Sequence, residues 1–211
     1  MKLILVRHGE TQLNKEGRIQ GINDVPLTTT GTSQAQALAK ALAEDMPFWL
    51  YTSPLPRAFE TCRIVSESLQ VSAVELEGLK EADVGRLEGL TGQEMRQRYP
   101  EFARHWDRDS GATQMPGGES LLQVQQRAWP AVKDLKEKHS NDTVVAVTHN
   151  FVMQTIICKV LDMPLHRAQR LRHELGSIAR LEIGHSQGEL VSLNETWHLS
   201  SLVPAEGGPA S

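Results

Sequence analysis

The sequence contains little cysteine. Among its 211 residues only Cys62 and Cys158 are cysteines, and each falls within a predicted apolar helix. Two buried thiols in a reducing compartment explain this usage better than a disulfide or a metal site. Histidines are more numerous, eight in all, but no two have the spacing that places two ligands on one helix face. We therefore expect no metal and no other cofactor.

The sequence also lacks an excess of basic residues and any apolar run of membrane-spanning length. The formal net charge is -4, the isoelectric point is near 6.1, and no block of Lys or Arg is present. These features argue against a nucleic-acid partner. A mean hydropathy of -0.35, with no apolar run near the roughly 20 residues that a bilayer requires, predicts no membrane span. The chain opens directly into a strand rather than a leader, so we expect a cytoplasmic protein.

Short apolar strands alternate with amphipathic helices along the chain. This alternation predicts an α/β fold, a three-layer sandwich in which helices flank a mostly parallel central sheet. Core strands are predicted at 3–6, 48–52, 71–79 and 143–148, edge strands at 177–183 and 189–193, and the main helices at 33–44, 58–69, 120–139 and 151–161. We expect Pro47 to stop the first of these helices, and Pro130 to kink the third or to interrupt its hydrogen-bond ladder.

The length of the chain suits one folding unit. We predict a single α/β domain over residues 1–200 with a small helical insert at about 91–139. A flexible tail rich in Gly and Pro is expected over 201–211. No long exposed apolar stripe is visible in the sequence, so a monomer and a homodimer both stay open.

Residues suited to phosphate follow three of the predicted strands. Arg7 and His8 end the first strand, Arg57 begins the helix after the second, and His149 follows the strand at 143–148. The carboxyl ends of parallel strands lie at one edge of a sheet, which is where such sheets bind ligands. We therefore expect these four side chains to meet in one anion-binding pocket, with the helical insert above it.

Five short motifs, in order, carry a family resemblance. They are LVRHGET at 5–11, TSPLPRA at 52–58, LKEADVGRLEG at 79–89, PGGES at 116–120 and VTH at 147–149. With these motifs the chain resembles the histidine phosphatase superfamily from Leu3 to about Leu199. That group includes cofactor-dependent phosphoglycerate mutases, fructose-2,6-bisphosphatase and α-ribazole phosphatases.

The resemblance implies a role for each residue of the pocket. His8 would be the nucleophile that takes the phosphoryl group, and Arg7, Arg57 and His149 would surround the transferred oxygens. The nearby cations should also help to keep His8 neutral, because a like charge disfavours imidazolium. Glu81 matches the general acid of the family, and Glu88 is the second choice.

The resemblance also implies a set of substrate-binding residues. Asn14, Gln20 and Gly21 match positions that line the pocket in the family through the loop after the first strand. Asn150 stands where the family usually has Gly directly after the second catalytic histidine. Its backbone N–H can still point at phosphate, but its side chain narrows the pocket or adds a donor.

The resemblance therefore implies a phosphomonoester hydrolase of the histidine acid phosphatase type, working without metal through phosphohistidine on a small phosphorylated metabolite. A phosphoglycerate mutase is the alternative enzyme, although the chain is short for that group and its PGGES segment is similar to the phosphatase form. A catalytically silent protein that binds a phosphorylated ligand is the alternative from another class. The natural substrate is not visible in the sequence.

Overall fold

The protein is built around one twisted sheet of six strands. A computed structural model describes residues 1–23, 25–46, 48–184 and 188–202. The strands are β1 (Lys2–Arg7), β2 (Trp49–Thr52), β3 (Ala73–Glu75), β4 (Thr143–Thr148), β5 (Ile178–Ile183) and β6 (Gly188–Glu195). They lie in the order β3-β2-β4-β1-β5-β6. The pairs β3/β2, β2/β4 and β4/β1 are parallel, whereas β1/β5 and β5/β6 are antiparallel, which confirms the predicted mostly parallel α/β sheet.

Helices cover both faces of this sheet. The α-helices are α1 (Gln12–Lys15), α2 (Thr29–Leu42), α3 (Pro56–Leu69), α4 (Gly92–Arg98), α5 (Pro100–Arg108), α6 (Leu121–Lys138) and α7 (Asn150–Val160). Short 3₁₀ helices span Ala43–Asp45, Glu77–Leu79, Gly85–Leu87, Leu165–Arg170 and Trp197–Leu202. Within the described ranges, no helix combines the length and the apolar character needed to cross a bilayer.

Alternation along the central strand β1 explains the two layers. Successive side chains of a strand point to opposite faces. Leu3 and Leu5 accordingly pack in the core shared with α6 and α7, while Ile4 and Val6 pack in the core shared with α2 and α3. The four-residue apolar run at 3–6 is therefore the signature of a strand buried on both faces.

Two strand predictions need correction. The segment 177–183 was expected at an edge, but β5 lies between β1 and β6, and only β6 of that pair is an edge strand. The segment 71–79 was expected to be one strand, but β3 covers only Ala73–Glu75 before the chain turns into a 3₁₀ helix. All three residues of β3 are exposed, so no core face holds the strand at greater length.

One helix prediction also needs correction, and another concerns Pro130. Helix α2 begins four residues earlier than expected, because the side chain of Thr28 accepts a hydrogen bond from the Gly31 N–H and caps it there. Helix α6 continues through Pro130, where the hydrogen-bond ladder is interrupted because proline has no N–H; the kink expected there stays a prediction. Pro130 and Gln126 are both exposed, so water can hydrate the Gln126 carbonyl that has no N–H partner.

The segment predicted as a helical insert contains α4, α5 and α6. Helix α6 packs in the same core as α7 and the sheet, and α5 joins this core through Phe102, with Met95 of α4 packed against it. The domain limits at 1–200 stay a prediction. Of the predicted tail, Ser201 and Leu202 end a 3₁₀ helix, while 203–211 and Pro47 lie outside the described residues.

Candidate active site

The imidazole of His8 lies just beyond the carboxyl end of β1 and is only 3 % exposed. Its Nδ1 is 2.7 Å from the Gly9 carbonyl oxygen. A carbonyl can only accept, so Nδ1 carries the proton and Nε2 presents a lone pair. The Arg57 Nε–H donates to this Nε2 over 3.2 Å. The nitrogen suited to nucleophilic attack therefore faces a guanidinium.

Arg57 enters the site from the first turn of α3, immediately after β2. Its side chain is fully buried, and it donates to the Gly21 carbonyl at 2.6 Å and to the Asn23 carbonyl at 3.2 Å. The loop after β1 is thus held against the same guanidinium that contacts His8. A cation at a helix N-terminus opposes the helix dipole, and an anion bound between the two removes that conflict.

Arg7 is fixed by the segment that precedes β5. Its backbone N–H donates to the Ser177 carbonyl at 3.1 Å, and its Nη1 donates to the His173 carbonyl at 2.6 Å. The Nε of Arg7 is buried without a hydrogen-bond partner among the described residues. Arg7 therefore has a donor left in the interior of the protein, and its charge also acts on His8 and His149.

His149 follows β4 and lies beside His8. The two ring centroids are 5.1 Å apart, and His149 is fully buried. Its Nε2 is 2.8 Å from the Ser53 Oγ, while its Nδ1 has no partner in the described chain. The structure thus brings Arg57, His8 and His149 into direct or near contact, as the strand ends predicted, with Arg7 close enough to influence both rings.

The electrostatics of the site keep both imidazoles neutral. Burial, followed by the charges of Arg57 and Arg7, holds the pKa of His8 well below its ordinary value. Burial, followed by Arg57 and then His8, has the same effect on the pKa of His149. A neutral His8 is a nucleophile at pH 7, whereas imidazolium is not.

Glu81 is a buried carboxyl at the same site, only 4 % exposed. Its Oε1 accepts from the Ala82 N–H at 2.9 Å, and its Oε2 accepts from the Phe151 N–H at 3.4 Å in the first turn of α7. Burial raises the pKa of Glu81, outweighing these hydrogen bonds and the charges of Arg57 and Arg7. A carboxyl with a raised pKa can hold a proton for a leaving group.

A clamp built from Arg127 of α6 and Glu119 holds the backbone of the segment that carries Glu81. Arg127 donates to the carbonyls of Lys80 at 2.7 Å and Glu81 at 2.8 Å, and it forms an ion pair with Glu119 at 2.9 Å. Glu119 in turn accepts from the Asp83 N–H at 2.9 Å. The clamp therefore holds the chain on both sides of Glu81.

Gly118 lets the PGGES segment approach this chain closely. A Cβ at Gly118 would lie 2.1 Å from the Asp83 carbonyl oxygen, a distance that no side chain tolerates. The glycine is thus required by the contact between the two segments rather than by its own φ.

The predicted substrate-binding residues occupy different positions. The Gly21 carbonyl accepts from Arg57, as described, and the Gly21 N–H donates to Glu88 at 2.8 Å. Glu88, the second choice for the general acid, therefore contacts the loop after β1. Gln20 accepts from Thr11 at 2.7 Å and leaves its Nε2 buried without a partner in the described chain. Asn14 completes the capping box of α1: its side-chain oxygen accepts from the N–H of Thr11, the N-cap residue, at 3.1 Å. Asn150 is the first residue of α7, beside His149 and Phe151, and its substrate role stays a prediction.

Sequence reasoning missed two contributors to the site. Ser53 stands directly after β2, so the rule that found His149 at the end of β4 applies to it as well. Arg127 lies in the middle of α6 and carries no local signal, because the backbone carbonyls that it binds near Glu81 come from a segment about 46 residues earlier in the chain.

The chain matches the family model of the histidine phosphatase superfamily (branch 1) over residues 3–196. It is 31% identical over 202 residues to phosphoserine phosphatase 1 of Hydrogenobacter thermophilus, covering 96% of each chain. It is 35% identical over 162 residues to a metal-independent phosphoserine phosphatase of Arabidopsis thaliana, covering 75% of this chain and 68% of that one.

A similar structure has been solved for a phosphoserine phosphatase of Entamoeba histolytica in complex with 3-phosphoglyceric acid. The TM-score is 0.81 at 30% identity, with 94% of this chain and 98% of the other covered.

Proposed function

Because this chain belongs to the histidine phosphatase superfamily (branch 1), we propose that it is a phosphomonoester hydrolase that acts on a small phosphorylated metabolite through phosphohistidine. The observation that carries the proposal is the contact between Arg57 Nε and His8 Nε2 at 3.2 Å, beside His149. This arrangement sets a neutral nitrogen nucleophile among donors suited to the oxygens of a phosphoryl group.

In the first step the lone pair of His8 Nε2 attacks phosphorus as the bond to the ester oxygen breaks. Arg7, Arg57 and His149 stabilise the charge on the equatorial oxygens. Electrostatic stabilisation of this kind is the main resource of an enzyme in phosphoryl transfer, because the transition state has little covalent character for the protein to assist. The Gly9 carbonyl, 2.7 Å from Nδ1, holds the ring in the tautomer that this attack needs.

Glu81 supplies the proton in the first step and removes one in the second. Its raised pKa favours the protonated carboxyl, which donates to the leaving alkoxide. The resulting carboxylate then accepts a proton from water as the water oxygen attacks phosphorus and the N–P bond breaks. Inorganic phosphate leaves, and His8 and Glu81 return to their starting protonation states.

Trapping of the phosphoenzyme tests this mechanism. Rapid mixing with labelled phosphoserine, followed by denaturation in alkali, is expected to yield one phosphoryl group on His8, and the label is lost in acid. His8→Ala should abolish the label and reduce kcat by about 10⁴-fold or more, in the presence or absence of a chelator. His166→Ala, which changes an exposed histidine, is the control. Full activity in His8→Ala would refute the proposal.

We further propose substrates of the size of phosphoserine and 3-phosphoglycerate, on the strength of the relatives named above. Ranking these two by kcat/KM against larger sugar and nucleoside phosphates tests this part. The complex of the Entamoeba relative with 3-phosphoglyceric acid also favours assaying the mutase alternative. Release of phosphate from 3-phosphoglycerate indicates hydrolysis, whereas formation of 2-phosphoglycerate indicates a mutase. The absence of any product in a single-turnover assay would indicate a protein that only binds the ligand.

A further inference from the structure

The two ring nitrogens of His149 have different surroundings. Nε2 lies 2.8 Å from the Ser53 Oγ. Nδ1 is buried and has no hydrogen-bond partner among the described residues. Both His149 and Ser53 have no exposed surface, so bulk water does not decide which nitrogen carries the proton.

Counting donors and acceptors around Ser53 separates the two tautomers of His149. The Ser53 hydroxyl has one hydrogen, and its oxygen already accepts from the Leu55 N–H at 3.2 Å. If His149 Nε2–H donated to Ser53, the hydroxyl hydrogen would have no acceptor in the described chain and Nδ1 would be a buried lone pair without a donor. If Ser53 donates to Nε2 instead, the hydroxyl is satisfied and the proton is on Nδ1.

We propose that Ser53 is a positioning residue that holds neutral His149 in the Nδ1–H tautomer, so that Nδ1–H donates to the phosphoryl group that His8 Nε2 attacks. The proposed function enters this inference only through the phosphoryl group. The tautomer follows from the contacts of Ser53 alone.

The charges at the site make this choice of tautomer important. A positively charged His149 would donate from both nitrogens and would not need Ser53. Burial and the neighbouring Arg57 and His8 keep the pKa of His149 well below its ordinary value, so the ring has a single N–H. The direction of the hydrogen bond with Ser53 therefore determines whether that N–H donates to the Ser53 hydroxyl or is available to donate to the ligand.

NMR of protein labelled with ¹⁵N-histidine tests the tautomer in the wild type without any activity measurement. Protonated and unprotonated nitrogens of neutral imidazole have well-separated ¹⁵N shifts, and the His149 signals are identified by their loss in His149→Gln. We expect Nδ1 to be protonated and Nε2 unprotonated, with the Nδ1 signal moving on addition of inorganic phosphate. A protonated Nε2, averaged signals, or an Nδ1 signal that phosphate does not move would overturn the inference.

A pair of serine variants tests the contribution to catalysis. Ser53→Ala is expected to mix the two tautomers and to lower kcat about tenfold, the effect of one net hydrogen bond, with a smaller change in KM. Ser110→Ala removes another buried hydroxyl, one without a partner in the described chain, and should change neither property. Unchanged kcat and unchanged His149 signals in Ser53→Ala would refute the role of Ser53.

These measurements separate the inference from the proposed function. If the wild type shows the expected tautomer and its response to phosphate but forms no phosphohistidine, the proposed chemistry is wrong and the role of Ser53 in anion binding stands. If phosphohistidine forms while the proton of His149 is on Nε2, the proposed chemistry stands and the role of Ser53 is wrong.

Discussion

Replacing Glu81 by Gln should slow poor leaving groups far more than good ones. Gln has the shape of Glu and can keep the hydrogen bond from the Ala82 N–H, which is 2.9 Å long in the wild type, but it has no proton to give. General acid catalysis contributes about 10²–10⁴-fold. We therefore expect kcat/KM for phosphoserine, whose alkoxide needs a proton, to fall by roughly that factor, while p-nitrophenyl phosphate falls by about tenfold or less, because its phenolate departs unaided.

The burial of Glu81 adds a stability test to the same variant. Because folding raises the pKa of this carboxyl, the folded state binds its proton more tightly than the unfolded state does, and stability falls as pH rises between the unfolded and folded pKa values. Glu81→Gln removes this penalty, so its Tm relative to wild type should increase from pH 4 to pH 8 in thermal unfolding. Equal slowing of alkyl and aryl phosphates, or a Tm difference independent of pH, would refute the reasoning.

Three further predictions concern the pH profile, the clamp and the close contact at Gly118. In wild type, kcat/KM for phosphoserine should decline toward high pH as Glu81 loses its proton, and this decline should be absent in Glu81→Gln. Glu119→Gln should lower the free energy of unfolding by about 2 kcal/mol, since Arg127 loses a charged hydrogen-bond partner. It should also reduce kcat for phosphoserine more than for p-nitrophenyl phosphate. Equal reductions for the two substrates would show that the clamp does not act through Glu81. Gly118→Ala should destabilise the protein in urea unfolding, because the new Cβ would lie 2.1 Å from the Asp83 carbonyl oxygen. Gly92→Ala is the control and should not destabilise it, since no atom lies within 4 Å of the new Cβ. Similar unfolding midpoints for the two variants would contradict the close contact.

The residues at strand ends were the part of the site that the sequence predicted best. The strands that carry Arg7 and His149 are buried on both faces, so they appear as uninterrupted apolar runs, and parallel pairing then fixes which of their ends meet. Segments held by local capping or by weak burial were predicted less well. Helix α2 begins where Thr28 caps it, and β3 is too exposed for any apolar pattern to set its length.

The contacts that support the site were hidden for a different reason. Arg127 reaches the Glu81 carbonyl and Ser53 reaches His149 across long separations in sequence, and these hydrogen bonds exist only after the sheet has formed. The placement of β5 inside the sheet is similar, because its alternating pattern is compatible with an edge or with an interior antiparallel position. Periodicity indicates which face of a strand is buried, but it does not identify the neighbours of that strand.

The two cysteines lie on opposite sides of the sheet, Cys62 in the core with α2 and α3 and Cys158 in the core with α6 and α7. Burial raises the pKa of Cys62 to about 12 and that of Cys158 to about 11, so neither thiol reacts until its own layer opens. Pulsed alkylation followed by peptide mapping would thus time the opening of each half of the molecule separately, with no engineered label. Repeating the experiment with phosphate would show whether ligand binding slows the alkylation of one cysteine or of both, and so whether it stabilises one layer or both.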